Sequence, residues 1–183
     1  MGFHAIPVRR ACNLSKIKAL YASSFPRDER YPFFLLRLLA LRRCAAFLAF
    51  YDGPLFCGLA YLFRDGRTIF LLYLATEQAL RSLGYGAKIL GWMRETYPAY
   101  DVTLNIEPEE PGAENGEQRG KRRKFYLKNG FLDTGYAIKE VCYDVLSTSS
   151  AFSPEAYQRL LCRAFFGMVK PKLYQKNMME SVR

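Results

Sequence analysis

Three long apolar runs, each cut from the next by an Asp-Gly pair, constrain this chain more than any other feature. They are CAAFLAFY (44–51), PLFCGLAYLF (54–63) and RTIFLLYLAT (67–76), parted at Asp52-Gly53 and Asp65-Gly66. Asp-Gly supplies the positive φ angles that tight hairpins demand, so the runs read as three antiparallel strands. Their near-continuous apolarity, in place of strict alternation, predicts a sheet covered on both faces. Half of the 183 residues are hydrophobic and 15% are aromatic, enough to build one folded domain over 1–183.

The flanking segments add helices and further strands. FHAIPVRR (3–10) reads as a first strand, and NLSKIKALYASSF (13–25) as a helix capped by Asn13 or Ser15. PRDERYP (26–32) is a charged turn, and FFLLRLLALRR (33–43) a second helix. After the meander, KILGWMRETYP (88–98) places Ile89, Leu90, Met93 and Tyr97 on one helical stripe. DVTLNIE (101–107) alternates, with Val102, Leu104 and Ile106 on one face and Thr103, Asn105 and Glu107 on the other. A polar loop (108–120) leads to a helix, KRRKFYLKN (121–129), stopped at Gly130. Two strands, FLDTGYAIK and EVCYDVL, follow. An amphipathic helix near 154–166 then belongs to a C-terminal helical extension over about 152–183.

Charge and cysteine usage narrow the partners. The formal net charge of +10 favours an anion, whether nucleic acid, a lipid headgroup or a phosphorylated cofactor. Five scattered cysteines without Cys-x-x-Cys spacing predict reduced thiols and a cytoplasmic protein. With His4 the single histidine, no metal site is expected. No window approaches the roughly 18 apolar residues of a membrane span, so a soluble protein with no membrane partner is expected.

Between the third apolar run and the next helix lies ALRSLGYGAKIL (79–90). Strand, glycine loop and helix in that order suit an anion, because helix N-termini expose unpaired N–H groups. Ile89 stands where a dinucleotide-binding fingerprint has its third glycine, and no Gly-Lys-Ser/Thr follows, so both common nucleotide motifs are absent. LAT (74–76) followed by Arg81-x-x-Gly84-x-Gly86-Ala87 resembles instead the acetyl-CoA signature of the GNAT superfamily of N-acetyltransferases. FYLKNGF (125–131) is similar to that family's later Tyr-x-x-x-Gly-Phe motif, and SSFPRDERYP (23–32) to its loop between the first two helices. The resemblance spans about residues 3 to 146. It departs at Ser82-Leu83, where basic or polar residues are usual, and at Arg119, where asparagine is frequent and Asn115 is the available substitute.

The resemblance implies an α/β (α+β) GNAT fold, a mixed, mostly antiparallel twisted sheet flanked by helices with its fourth and fifth strands splayed. It implies acetyl-CoA as cosubstrate and a primary amine of a small molecule or peptide as acceptor. Main-chain groups of Arg81, Ser82, Leu83, Gly84, Tyr85, Gly86 and Ala87 would cradle the pyrophosphate. Leu74, Ala75 and Thr76 would pair with the pantetheine arm, the Thr76 N–H facing the thioester carbonyl. Tyr126, matched to the family tyrosine, would bind at the thiol end and protonate the leaving thiolate, the other reading being a core residue packed beside Phe125. Glu107 is the candidate base, an ordinary solvated carboxylate being the other reading. Glu29, Arg30 and Asn105 are the candidate acceptor contacts, with a local ion pair the alternative for the first two. The run Lys121–Lys124 has three readings: a solvated helix face, a contact of Arg122 or Arg123 with a CoA phosphate, or a nucleic-acid patch. A CoA-sensing module without turnover and a basic nucleic-acid-binding protein are the alternatives for the whole chain, and the closing helix leaves a homodimer open.

Overall fold

β1 (Phe3–Pro7), α1 (Leu14–Ser24) and α2 (Phe33–Leu39) precede the Asp-Gly meander, which forms as β2 (Ala45–Asp52), β3 (Leu55–Asp65) and β4 (Thr68–Thr76). In this computed structural model residues 2–110, 112–113 and 115–176 are described. Gly53 and Gly66 both take φ +55°, the conformation for which Asp-Gly is selected. Eight consecutive residues of β3, Phe56 to Phe63, are buried, as expected of a strand covered on both faces. α3 (Tyr85–Thr96), β5 (Asp101–Ile106), α4 (Gly116–Lys128), β6 (Leu132–Ile138), β7 (Tyr143–Ser147), α5 (Pro154–Ala164) and β8 (Leu173–Gln175) follow. The strands run β1-β2-β3-β4-β5-β7-β6-β8, with β4 and β5 parallel within a largely antiparallel sheet. Among the described residues no helix is long and apolar enough to cross a membrane.

The chain divides into two compact units, residues 2–63 with 71–99 and residues 64–70 with 100–176. In the first, α1 buries Ile17, Leu20 and Tyr21, and α3 buries Ile89, Leu90 and Met93, each at helical spacing. In the same unit β2 and β3 bury Phe50, Leu59, Tyr61 and Leu62. In the second, Thr68–Phe70 pair in parallel with Asp101–Thr103, and β5 pairs on its other edge with β7. α5 is built for its place: Ser153 caps it by accepting the Ala156 N–H at 3.2 Å, Pro154 sits in its first turn, and Tyr157, Leu160, Leu161 and Ala164 are buried.

Several boundaries differ from the sequence reading. The first strand stops at Pro7, which lacks a ladder donor, and Val8–Arg10 form a 3-10 turn that buries Val8. Asn13 precedes α1 without capping it, because its Oδ1 accepts the Tyr51 hydroxyl instead. α2 ends at Leu39, and the next residues tighten into i to i+3 bonds from Leu41 to Leu38 and from Arg42 to Leu39. α4 begins at Gly116, five residues earlier than expected, its first turns joined by the Glu117–Lys121 pair. Among the described residues the helical extension expected over 152–183 amounts to α5, since Phe166 and Gly167 take positive φ and the Gly167 N–H closes back on the Cys162 carbonyl. β8 follows, held by pairing with β6, and residues 177–183 of the expected extension lie outside the described residues.

Candidate active site

Gly84 ends the glycine turn in the left-handed conformation, φ +83°, directly before α3. Ser82, at φ +65°, precedes it with the same sign. Two such residues around Leu83 bend the chain into a concavity of the kind that gathers main-chain N–H groups. The amides of Leu80, Arg81 and Leu83 are occupied by the carbonyls of Glu77, Gln78 and Leu80. The first bond of the α3 ladder runs from the Lys88 N–H to the Gly84 carbonyl at 3.0 Å. Tyr85, Gly86 and Ala87 therefore stand in the first turn with their N–H groups outside that ladder. Arg81, Ser82, Leu83 and Gly84 are exposed. α3 thus starts three residues before the sequence reading put it, and Gly86 is a helix residue instead of a loop glycine.

What holds this turn was only partly visible in the sequence. The β2–β3 register slips between Phe50 and Tyr51, leaving Cys57 as the extra residue of a bulge. The Cys57 carbonyl accepts the Glu77 N–H at 2.9 Å, fixing the chain just past β4. Beside it, a Cβ on Gly58 would lie 2.4 Å from the Ala75 carbonyl oxygen and 3.1 Å from the Ile89 Cδ1. Only glycine lets β3 approach the end of β4 and α3 so closely, and a lone glycine in an apolar strand was the available signal. Asp52 anchors the helix itself, accepting from the Tyr85 hydroxyl at 3.2 Å and from Lys88 Nζ at 3.3 Å. Leu74 and Thr76 are half-buried and Ala75 is buried at the end of β4.

The turn at 25–32 is equally well fixed. The Tyr73 hydroxyl donates to the Glu29 carbonyl at 2.6 Å and accepts the Tyr31 N–H at 3.3 Å. Arg30 donates from Nη1 to the Ala22 carbonyl at 2.8 Å, so this guanidinium braces its own turn, while the Glu29 side chain is exposed.

In the second unit the polar face of β5 is almost fully engaged. Thr103, 1% exposed, donates to the Ile69 carbonyl at 3.0 Å. The Asn105 Oδ1 accepts the hydroxyl of buried Tyr157 at 2.7 Å. Glu107 lies between two guanidinium groups, Arg119 Nη2 at 3.0 Å on one oxygen and Arg122 Nη1 at 2.9 Å on the other, with Asn115 Nδ2 at 3.4 Å. The structure thus brings together Glu107, Asn115, Arg119 and Arg122, and leaves Asn105 with a different partner. Tyr126 is half-buried on α4, its ring edge-on to Phe125 and Phe131. Burial pushes its hydroxyl up to about 12, against the pull of the Arg122 cation.

Most of the basic run is paired internally. Lys121 meets Glu117, and Arg122 meets Glu107. Arg123 reaches Asp144 at 2.7 Å and Asp133, and Lys176 joins both carboxylates at 3.2 and 2.8 Å. Asp144 is 7% exposed, so this lattice neutralises a buried charge. This cluster was not legible in the sequence, because Asp133, Asp144 and Lys176 come from β6, β7 and the residue after β8.

No protein-family model matches the sequence, and no curated protein matches it. Solved structures do. A protein assigned to the GNAT family of acetyltransferases from Bacteroides thetaiotaomicron superimposes with a TM-score of 0.72 at 21% identity, over 92% of this chain and 100% of its own. An aminoglycoside 6'-N-acetyltransferase complexed with coenzyme A gives a TM-score of 0.64 at 12% identity, over 84% and 99%. Naa50 of Arabidopsis thaliana, in complex with the bisubstrate analogue CoA-Ac-MVNAL, gives 0.57 at 20% identity, over 81% and 99%. The chain has the fold of the GNAT N-acetyltransferases.

Proposed function

We propose that this chain is an N-acetyltransferase that moves the acetyl group of acetyl-CoA directly to a primary amine of a small molecule or peptide. The observation that carries the reading is the turn before α3, where positive φ at Ser82 and Gly84 leads into three first-turn N–H groups outside the helical ladder. A pyrophosphate is the ligand such a turn suits, since the helix dipole and the N–H groups favour negative charge together. Two structural neighbours were solved with coenzyme A or a CoA conjugate, which supports the same donor here. The five cysteines are free thiols, which suits a reducing cytoplasmic setting.

The residue roles follow. The Leu74–Thr76 main chain holds the pantetheine arm. The Thr76 N–H donates to the oxyanion that develops on the thioester carbonyl, a contribution of roughly 3–4 kcal/mol for one such donor. Glu107 is the proposed acceptor of the ammonium proton, reached through a water. Tyr126 is protonated at neutral pH, but a phenol near 12 lies roughly three units above a thiol. Proton transfer is therefore uphill, and Tyr126 acts by hydrogen-bonding the departing sulfur as charge grows on it. Glu29, Arg30 and Asn105 are the proposed acceptor contacts; the first two sit in a braced turn, and Asn105 presents its amide while Tyr157 holds its carbonyl.

An amine panel assayed for thiol release from acetyl-CoA tests the function. The expected result is saturable turnover with at least one amine, and a kcat loss of roughly a hundredfold in Tyr126→Phe with acetyl-CoA affinity retained. Binding without turnover on any amine would reduce the chain to a CoA sensor. No binding at all would overturn the reading.

A further inference from the structure

We infer that Tyr73 is a positioning residue that ties the acceptor turn at 25–32 to the strand proposed to hold the thioester, and so sets affinity for the amine. The inference rests on the acetyltransferase reading and deepens it. Tyr73 immediately precedes Leu74 on β4 and is 4% exposed. Its hydroxyl makes two main-chain bonds to the turn, donating to the Glu29 carbonyl and accepting the Tyr31 N–H. A second tyrosine doubles the attachment: Tyr21, on α1, donates to the Tyr31 carbonyl at 2.9 Å and meets Tyr73 edge-on with ring centroids 5.1 Å apart. Phe25 completes the cluster, its ring 4.6 Å from that of Tyr73.

Both polar main-chain atoms of Tyr31 and the carbonyl of Glu29 are therefore held by side chains rooted in β4 and α1. The turn carries two main-chain bonds of its own, from the Glu29 N–H to the Pro26 carbonyl and from the Arg30 N–H to the Arg27 carbonyl, and the phenols tie it to β4 and α1. Burial first, and Tyr21 beside it second, push the Tyr73 hydroxyl far above the ordinary phenol range, so it remains a donor at every physiological pH. Fixing the turn before the amine arrives removes an ordering cost from acceptor binding, which appears in KM for the amine and not in the affinity for acetyl-CoA.

The test uses Tyr73→Phe and Tyr21→Phe, which keep the rings and remove one hydroxyl each, in the full chain. Hydrogen exchange at the Tyr31 amide should quicken about tenfold in Tyr73→Phe, with β2 and β3 protection unchanged. With spermidine, an aminoglycoside and the peptide Met-Val-Asn-Ala-Leu as acceptors, KM for whichever is acetylated should rise about fivefold in each variant, with kcat and acetyl-CoA Kd within twofold of the parent. Unchanged exchange at Tyr31, or an exchange gain with unchanged amine KM, would overturn the inference. If none of the three amines is acetylated, exchange at Tyr31 decides the clamp alone, while the acetyltransferase reading is judged by acetyl-CoA binding to the parent protein.

Discussion

Around Gly84 the groups proposed to hold the cofactor are main-chain N–H, and Arg81, Ser82 and Leu83 are exposed. Around α4 the main chain is spent on helix, and the side chains do the work: Arg119, Arg122 and Arg123 each close on carboxylates from distant positions in the sequence. The first region depends on backbone conformation and is indifferent to most side chains. The second depends on charge pairing and is indifferent to small backbone adjustments. Substitutions should separate the two sharply.

The largest effect is expected from Gly84→Glu, which places a carboxylate at the proposed pyrophosphate site on a backbone held at φ +83°. Like-charge repulsion and left-handed strain together cost about 3–4 kcal/mol, so acetyl-CoA affinity measured by calorimetry should fall a few hundredfold. Arg123→Ala should do the reverse. It leaves Asp144 with Lys176 as its remaining cation and should lower unfolding free energy in urea by about 3 kcal/mol, while acetyl-CoA affinity holds. An Arg123→Ala protein that lost acetyl-CoA affinity without losing stability would break the distinction.

Gly58→Ala sharpens it from the other side. The added Cβ meets the Ala75 carbonyl, so stability should fall by about 2 kcal/mol and acetyl-CoA affinity with it, seen by thermal unfolding with and without the ligand. The pH profile of stability should have two limbs. Burial raises Tyr61, Tyr73, Tyr126 and Tyr157 above ordinary phenols, so the stability that goes with their protonated forms is full below about pH 10 and is lost as pH rises beyond it. Burial alone would raise the Asp133 carboxyl, but Lys176, the Gly135 N–H and Arg123 together hold it below its ordinary value. Its contribution is present above about pH 4 and lost as pH falls further. Lys176→Ala should weaken the acid limb and leave the alkaline one. The smallest effect belongs to Arg81→Ala, an exposed side chain beside a main-chain site: acetyl-CoA affinity should change less than threefold.

The same contrast explains what the sequence disclosed. Asp-Gly pairs and apolar runs announced β2, β3 and β4 because turn chemistry and burial act on adjacent residues. The turn at Gly84 was legible for the same reason, as a local motif whose spacing is fixed by backbone geometry. The start of α4 was not, because Gly116 and Gly120 obscured a helix that ion pairs to Lys121, Glu107 and Asp144 sustain. β8 escaped notice because a strand of three residues has no periodicity of its own and exists through its pairing with β6. Tyr73 looked like one more apolar residue of a buried strand; its hydroxyl acquires a role from Glu29 and Tyr31, more than forty residues earlier.

Amide chemical-shift mapping during an acetyl-CoA titration reads out the proposed main-chain site residue by residue. Saturable shifts are expected, largest at Gly84, Tyr85, Gly86 and Ala87, and lost in Gly84→Glu. Binding that left those four amides unmoved, or no binding at millimolar acetyl-CoA, would contradict the proposed site.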